Sequence, residues 1–163
     1  MLRIRRYDQP LRFRVRHELR LPLLQASGRE EGIVVDLAAT PLRELNAALH
    51  ALPPDTNDTE WVIRNPRGQH AVAVGIDAPI AVEIEGHVGY YCAGMNQKAS
   101  VTIRGNAGVG LAENMMSGEV RVTGDASQAA GATAHGGLLV IGGNASARCG
   151  ISLKGADIVV QGS

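Results

Sequence analysis

The stretch VTIRGNAGVGLAEN, Val101 to Asn114, is where residue types and spacing first suggest chemistry. A strand-like run ends in Gly105, and Gly108 and Gly110 follow within five residues, as in loops that wrap backbone N–H groups around a phosphate. The stretch nevertheless lacks the third glycine of GxGxxG and the GK[ST] of a phosphate loop, and no amphipathic helix follows it. The two cysteines, Cys92 and Cys149, are too few for an iron–sulfur cluster or a structural zinc site. The five histidines, His17, His50, His70, His87 and His135, show neither HxH nor HxxxH spacing. No Ser–His–Asp set can be read from the order of the residues. The residues themselves therefore point to no catalytic, cofactor-binding or metal-ligating group.

A longer interval accounts for the glycine. Gly86, Gly105, Gly124, Gly143 and Gly162 stand nineteen residues apart, and neighbouring positions keep the same register. Two before each glycine stand Ile84, Ile103, Val122, Ile141 and Val160, and four before it Val82, Val101, Val120, Leu139 and Ile158. Seven after it come Ala93, Ala112, Gly131 and Gly150, and thirteen after it Ala99, Gly118, Gly137 and Ala156. Positions two apart share one face of a strand, so each repeat sends two branched aliphatics inward. The small residues sit where the backbone bends around a narrow core, and the glycines mark a corner. His87, Asn106, Asp125 and Asn144, one after each glycine, form a polar turn ladder. The pattern predicts an all-β fold, a right-handed parallel β-helix of 19-residue coils with a short N-terminal α/β segment. In that stack the two cysteines share a slot three coils apart, about 14 Å, which excludes a disulfide between them. Low aromatic content, 3%, with 20 glycines among 163 residues, suits a repeat that turns tight corners better than a sandwich core.

Three regions follow: an arginine-rich extension over 1–32, a helix with strands leading into the solenoid over 33–79, and the coils over 80–163. TPLRELNAALHAL reads as a helix, with Thr40 as its cap, Pro41 at its first position and a stripe of Leu42, Leu45, Leu49 and Leu52. GIVVDL, EWVIR and HAVAV read as strands. LRFRVRHELRL, within the extension, alternates apolar residues with arginine like a half-exposed strand. No aromatic–basic stacking motif accompanies it, so the basic segment is not read as nucleic-acid-binding. An alternative is an over-extended start, with the functional chain beginning near Ile33. No apolar run has the length of a membrane span and no signal-peptide core follows the arginines, which points to a soluble cytoplasmic protein.

Two sets of residues suggest contact with other molecules. Tyr90 and Tyr91 cluster with Met95, Met115 and Met116 on coil corners, as core packing or as a partner-facing patch. The outward strand position, three before each glycine, runs Glu83, Thr102, Arg121, Val140, Val159. Its change from polar to valine predicts that this flank is covered, by a partner or by further chain.

Residues 70–163 resemble the C-terminal GXGXG β-helix domain of glutamate synthase, through EGHVGYYCAGMNQKASVTIRGNAGVGLAENMMSG, GDASQAAGATAHGGLLVIGG and ASARCGISLKG. These phrases, with DLAATPLRELNAAL at 36–49, are most similar to the stand-alone subunit of N-methylglutamate synthase-type complexes. The resemblance implies a scaffold. In that family a glutaminase domain releases ammonia and a flavin and iron–sulfur domain uses the transferred nitrogen, or methylamine in the N-methylglutamate version. FMN and an iron–sulfur cluster are then expected on a partner subunit, and the partners implied are a glutaminase-like and a flavin-containing synthase-like subunit. The family domain supplies no catalytic side chain to carry over. Family members continue for further coils, so the resemblance also implies a C-terminally incomplete stack, or one capped by another surface. The repeat also resembles the C subunit of formylmethanofuran dehydrogenase, and an independent β-helix binding module is a third reading.

Overall fold

The computed structural model describes residues 32–163. Its strands are β1 (Ile33–Asp36), β2 (Glu60–Arg64), β3 (Ala81–Glu85), β4 (Ser100–Ile103), β5 (Glu119–Val122), β6 (Leu138–Ile141) and β7 (Asp157–Val160), with one described helix, α1 (Leu42–His50). All seven strands lie in one parallel sheet in chain order, each paired only with its sequence neighbours. Parallel neighbours in unbroken order, each joined by a full circuit of chain, are the signature of a parallel β-helix. The register is the sequence repeat itself: Val82 pairs with Val101, Val101 with Val120, Val120 with Leu139 and Leu139 with Ile158. Among the described residues the sheet starts with β1, paired to β2, so the segment carrying the helix belongs to the same stack.

The inward pairs build continuous aliphatic columns. Val82, Ile84, Val101, Ile103, Val120, Val122, Leu139, Ile141 and Ile158 are all buried in one cluster, which Trp61, Ile63, Leu45 and Leu49 extend toward the N-terminal end. A second face is narrower: Val88, Ala107, Ala126 and Ala145 form single parallel bridges, coil to coil. Only small side chains fit on this side of the interior, which explains the alanine-rich composition.

The periodic glycine is required by closeness. A Cβ on Gly105 would lie 2.7 Å from the carbonyl of Gly86, and one on Gly143 would lie 2.8 Å from the carbonyl carbon of Gly124. On Gly124 and Gly143 it would also strike the side-chain oxygens of Asn106 and Asp125. Those oxygens belong to the polar ladder. His87 Nδ1 accepts the N–H of Asn106, Asn106 Oδ1 that of Asp125, Asp125 Oδ1 that of Asn144, and Asn144 Oδ1 that of Ser163, at 2.7–3.1 Å. Each ladder residue satisfies a backbone donor one coil further on, where glycine leaves room for it.

The turn after the second face has an unusual backbone. Tyr91, Ala93 and Met95 all have φ between 52° and 59°, and Ala112, Asn114, Ala129, Thr133, Arg148 and Ser152 continue the same columns. In a strand, residues two apart point their N–H groups the same way. Here they oppose: Tyr91 donates forward to Val109, Ala93 back to Val72 and Met95 forward to Glu113. Left-handed residues at alternate positions permit this, at a cost of about 1–2 kcal/mol for each non-glycine. Small residues seven after the glycine meet this need, since Ala93, Ala112, Gly131 and Gly150 are all left-handed. HAVAV, expected as a strand, is instead this turn in the preceding coil, with Ala71 at φ 58° and Ala73 at φ 56°.

Helix α1 stands in for a missing coil. Asn46 Oδ1 accepts the N–H of Ala73, its Nδ2 donates to Ala71, and His50 Nε2 lies 2.7 Å from the carbonyl of Val74. Further along the stack, the N–H equivalent to that of Ala73 finds a backbone carbonyl one coil back: Ala93 donates to Val72 and Ala112 to Cys92. Asn46 and His50 are four apart and share a helix face with no gap in the apolar stripe. The cap at the other end differs from expectation. Pro41, not Thr40, occupies the N-cap position, and no side chain caps the helix. Thr40 is committed to the preceding turn, where its N–H donates to the carbonyl of Asp36.

Two stability predictions follow from this geometry. Gly124→Ala should lower unfolding free energy by about 1–3 kcal/mol through overpacking, read as a fall in urea midpoint. Asn46→Leu leaves two part-buried backbone groups, the Ala71 carbonyl and the Ala73 N–H, without their side-chain partner and should cost about 1–3 kcal/mol, whereas Leu42→Ala on the half-buried edge of the same stripe should cost less.

Candidate functional site

The ladder, the turn and the outer sheet face hold the chemically capable side chains among the described residues. The ladder carboxamides and carboxylate are spent on backbone N–H groups, as described. Cys92 is fully buried and burial pushes its thiol up to about 12; Cys149, half-buried, is raised by the same cause. A thiol held protonated is neither a nucleophile nor a ready metal ligand. Asp36 is held below the usual carboxylate range, first by the hydrogen bond from the Asn65 side chain and then by the N–H of Ala38. It organises the turn before α1. No group of three or more His, Cys, Asp or Glu is placed to hold a metal ion among the described residues.

Gly108 and Gly110, the rest of the phosphate-like loop, have architectural uses. A Cβ on Gly108 would lie 2.7 Å from the carbonyl of Gly89, one coil below. Gly110, at φ 75°, lies beneath the ring of Tyr91, whose Cδ1 would be 2.9 Å from an added Cβ. The N–H groups of Ala107, Gly108 and Gly110 are engaged between coils, donating to Asp125, Val88 and Gln128.

The turn column carries the exposed apolar residues. Tyr90, Tyr91, Met95 and Met116 are each about half exposed. They stand on two successive coils; further along, Ala129 and Arg148 follow Tyr91, Asn114 and Thr133 follow Met95, and Ile151 is exposed on a later coil. Tyr90 stacks on His70, with ring centroids 4.4 Å apart, and its own N–H donates to His70 Nδ1. Two of the candidate contact residues are thus pre-positioned, Tyr90 by His70 and Tyr91 by Gly110. Met115 is different. It is fully buried, so the expectation that it faces a partner with Met116 is corrected. Its slot in the coil points inward, and Asn96, its counterpart one coil earlier, is buried there too. The Asn96 side chain donates to the carbonyls of Ala99 and Ser117, while Oδ1 has no partner. This polar residue in an otherwise apolar column carried no periodic signal, because no other coil repeats it.

The outer sheet face changes along the stack. Near the start it is charged, with Arg64 paired to Glu85, Arg104 to Glu83, each at 3.1 Å, and Arg121 to Glu119. Exposed pairs of this kind contribute little to stability. On β6 and β7 the face becomes Leu138, Val140 and Val159. Both valines are buried within the chain as it stands. The basic residues of 1–28 and the LRFRVRHELRL strand lie outside the described residues. No described helix is long and apolar enough to cross a membrane.

Comparison with known proteins gives one partial likeness. No protein-family model matches the chain. A stretch of 63 residues, 39% of the chain, is 63% identical to Protein GlxC of Rhizobium meliloti (strain 1021). The match spans 28% of that relative's length. No solved structure matches.

The thiol environments predict selective labelling. At pH 8 a thiol with a pKa of about 12 is about one part in 10,000 thiolate. Cys92 should resist alkylation until the protein unfolds, and Cys149 should react more slowly than a free cysteine. Mass spectrometry after timed alkylation reads both rates, and rapid labelling of Cys92 in the folded protein would contradict the buried geometry.

Proposed function

We propose that this chain is a non-catalytic scaffold subunit of a glutamate synthase-type glutamine-amidotransferase complex, of the N-methylglutamate synthase kind. The observation that carries the reading is how its polar side chains are used. The periodic His, Asn and Asp residues, which could otherwise serve chemistry, are consumed in holding one coil to the next. The motif resemblance and the stretch shared with Protein GlxC support the same reading. In this account a glutaminase-like subunit releases ammonia, and a synthase-like subunit carrying FMN and an iron–sulfur cluster consumes it. The complex works in the cytoplasm.

A stiff solenoid suits such a role. Holding two partners on one body raises the effective concentration of one reacting centre near the other, without any new catalytic group. Rigidity comes from backbone bonds between coils at every side of the stack, joined by the ladder. The exposed Tyr90, Tyr91, Met95 and Met116 are the side chains this scaffold would offer, since aromatic and methionine residues are enriched where proteins meet. The stacking of Tyr90 on His70 and the seating of Tyr91 on Gly110 reduce the entropy those two rings lose on docking.

Affinity purification from the native host tests the proposal. The expected result is co-elution of a glutaminase-like and a flavin-containing subunit, with glutamine-dependent amine transfer in the recovered complex. A chain that purifies alone and turns over substrate would overturn it, and formylmethanofuran dehydrogenase subunits in the eluate would favour the alternative scaffold. Tyr90→Glu combined with Met116→Glu should release at least one subunit, a loss of tenfold or more in recovery, with the urea midpoint unchanged.

A further inference from the structure

We propose that the turn face of the stack is the seat of a second copy of this chain, set antiparallel about a two-fold axis. The outward turn positions lie at fixed distances after each periodic glycine, so every coil offers the same slots with different side chains. A two-fold axis lying in this face, across the stack, reverses the order of the coils and keeps each slot opposite itself. The coil after Gly86 then meets the coil after Gly143 of the other copy, and the coil after Gly105 meets the one after Gly124.

Under that operation large side chains meet small ones. Tyr90 faces Ala147, Met95 faces Ser152 and Ile151 faces Gly94. Tyr90, Met95 and Ile151 are all about half exposed, so each has apolar surface to bury. At the centre Gly110 faces Ala129 and Asn114 faces Thr133, so nothing bulky holds the two copies apart. Charge completes the match. A Cβ on Gly110 would lie 2.8 Å from Glu113 Oε2 and 2.9 Å from Tyr91 Cδ1, which places the carboxylate beside the ring. Glu113 belongs to no ion pair among the described residues. Arg148 occupies the slot of Tyr91 three coils on, is exposed, and is likewise unpaired among them. Across the axis each Arg148 therefore faces the Tyr91 ring of the other copy, with that copy's Glu113 beside it. A planar guanidinium can stack on the ring and bond the carboxylate at once. Lys98, on the Tyr91 coil, does not oppose it, because Asp77 holds Lys98 at 3.0 Å. The contact occurs twice by symmetry. It goes beyond the amidotransferase reading and needs no other protein; within a complex, the second copy is among the subunits that charge on this patch releases.

Sedimentation velocity of the full chain alone tests the assignment, over about 1–100 µM, where small interfaces associate. The expected result is a monomer–dimer equilibrium. Glu113→Arg and Arg148→Glu should each weaken dimerisation by about tenfold or more. Mixing these two variants should restore it to within about threefold, because each then offers the charge the other lacks. Ile151→Glu, at an exposed position outside the interior cluster, should weaken it by about tenfold with the urea midpoint unchanged. That variant still decides if a charge variant does not fold. A chain that stays monomeric throughout would overturn the proposal and leave the face to subunits of other sequence. A dimer indifferent to Ile151→Glu, or one that mixing fails to restore, would place the contact elsewhere and overturn it too. Co-purification from the host tests the amidotransferase reading separately, so the two can fail independently.

Discussion

Everything in this protein depends on how closely one coil lies on the next. Parallel backbone hydrogen bonds fix that distance on every side of the stack, and the chain must satisfy it once per circuit. The glycine column is the point of closest contact. There the carbonyl of one coil and the ladder oxygen of the same coil both press on the next glycine, as Gly105 and Asn106 press on Gly124. Any side chain would force the coils apart and stretch the bonds on either side. The aliphatic columns are a consequence: with the spacing set, identical slots fall above one another and like side chains stack.

The same constraint explains where strain is accepted. The turn from the second face back toward the sheet must send hydrogen bonds both forward and back within a few residues. Left-handed conformations at alternate positions achieve this, including at Thr133, a β-branched residue with φ 55°. Its hydroxyl bonds Asn114 one coil back, which offsets part of the cost. A solenoid also needs a beginning. Asn46 and His50 provide one by presenting side-chain donors and an acceptor where a preceding coil would present backbone. The interior is therefore closed at one end by a helix whose polar face imitates a coil and whose leucines complete its core.

Function follows from what is left over. A residue that holds the ladder or the interior is unavailable for chemistry, and the periodic polar residues are so engaged. What remains at the surface is a set of half-exposed aromatic and methionine side chains on the turn of two coils and a charged sheet face near α1, while the valine flank near β7 is buried. The contrast between the two apolar areas is physical. The turn patch is exposed in the chain alone, whereas the valine flank is not.

The nineteen-residue interval determined the architecture by itself, because stacking turns periodicity along the chain into adjacency in space. Sheet order, register, inward columns and the polar ladder were all legible as recurring residue types. HAVAV misled because alternating small apolar residues suit a strand and a left-handed turn equally well; hydrogen-bond direction, a property of neighbouring coils, decides between them. Met115 misled because Met116 beside it is exposed, and only the path of the turn assigns one inward and the other outward. Asn46, His50 and Asn96 were not legible at all, since each acts once and leaves no period. The sequence alone determined what repeats. The tertiary structure decided what occurs once: how the stack begins, which corner residues face water, and which outward valines are covered. Those depend on contacts between segments whose spacing in the chain carries no regularity.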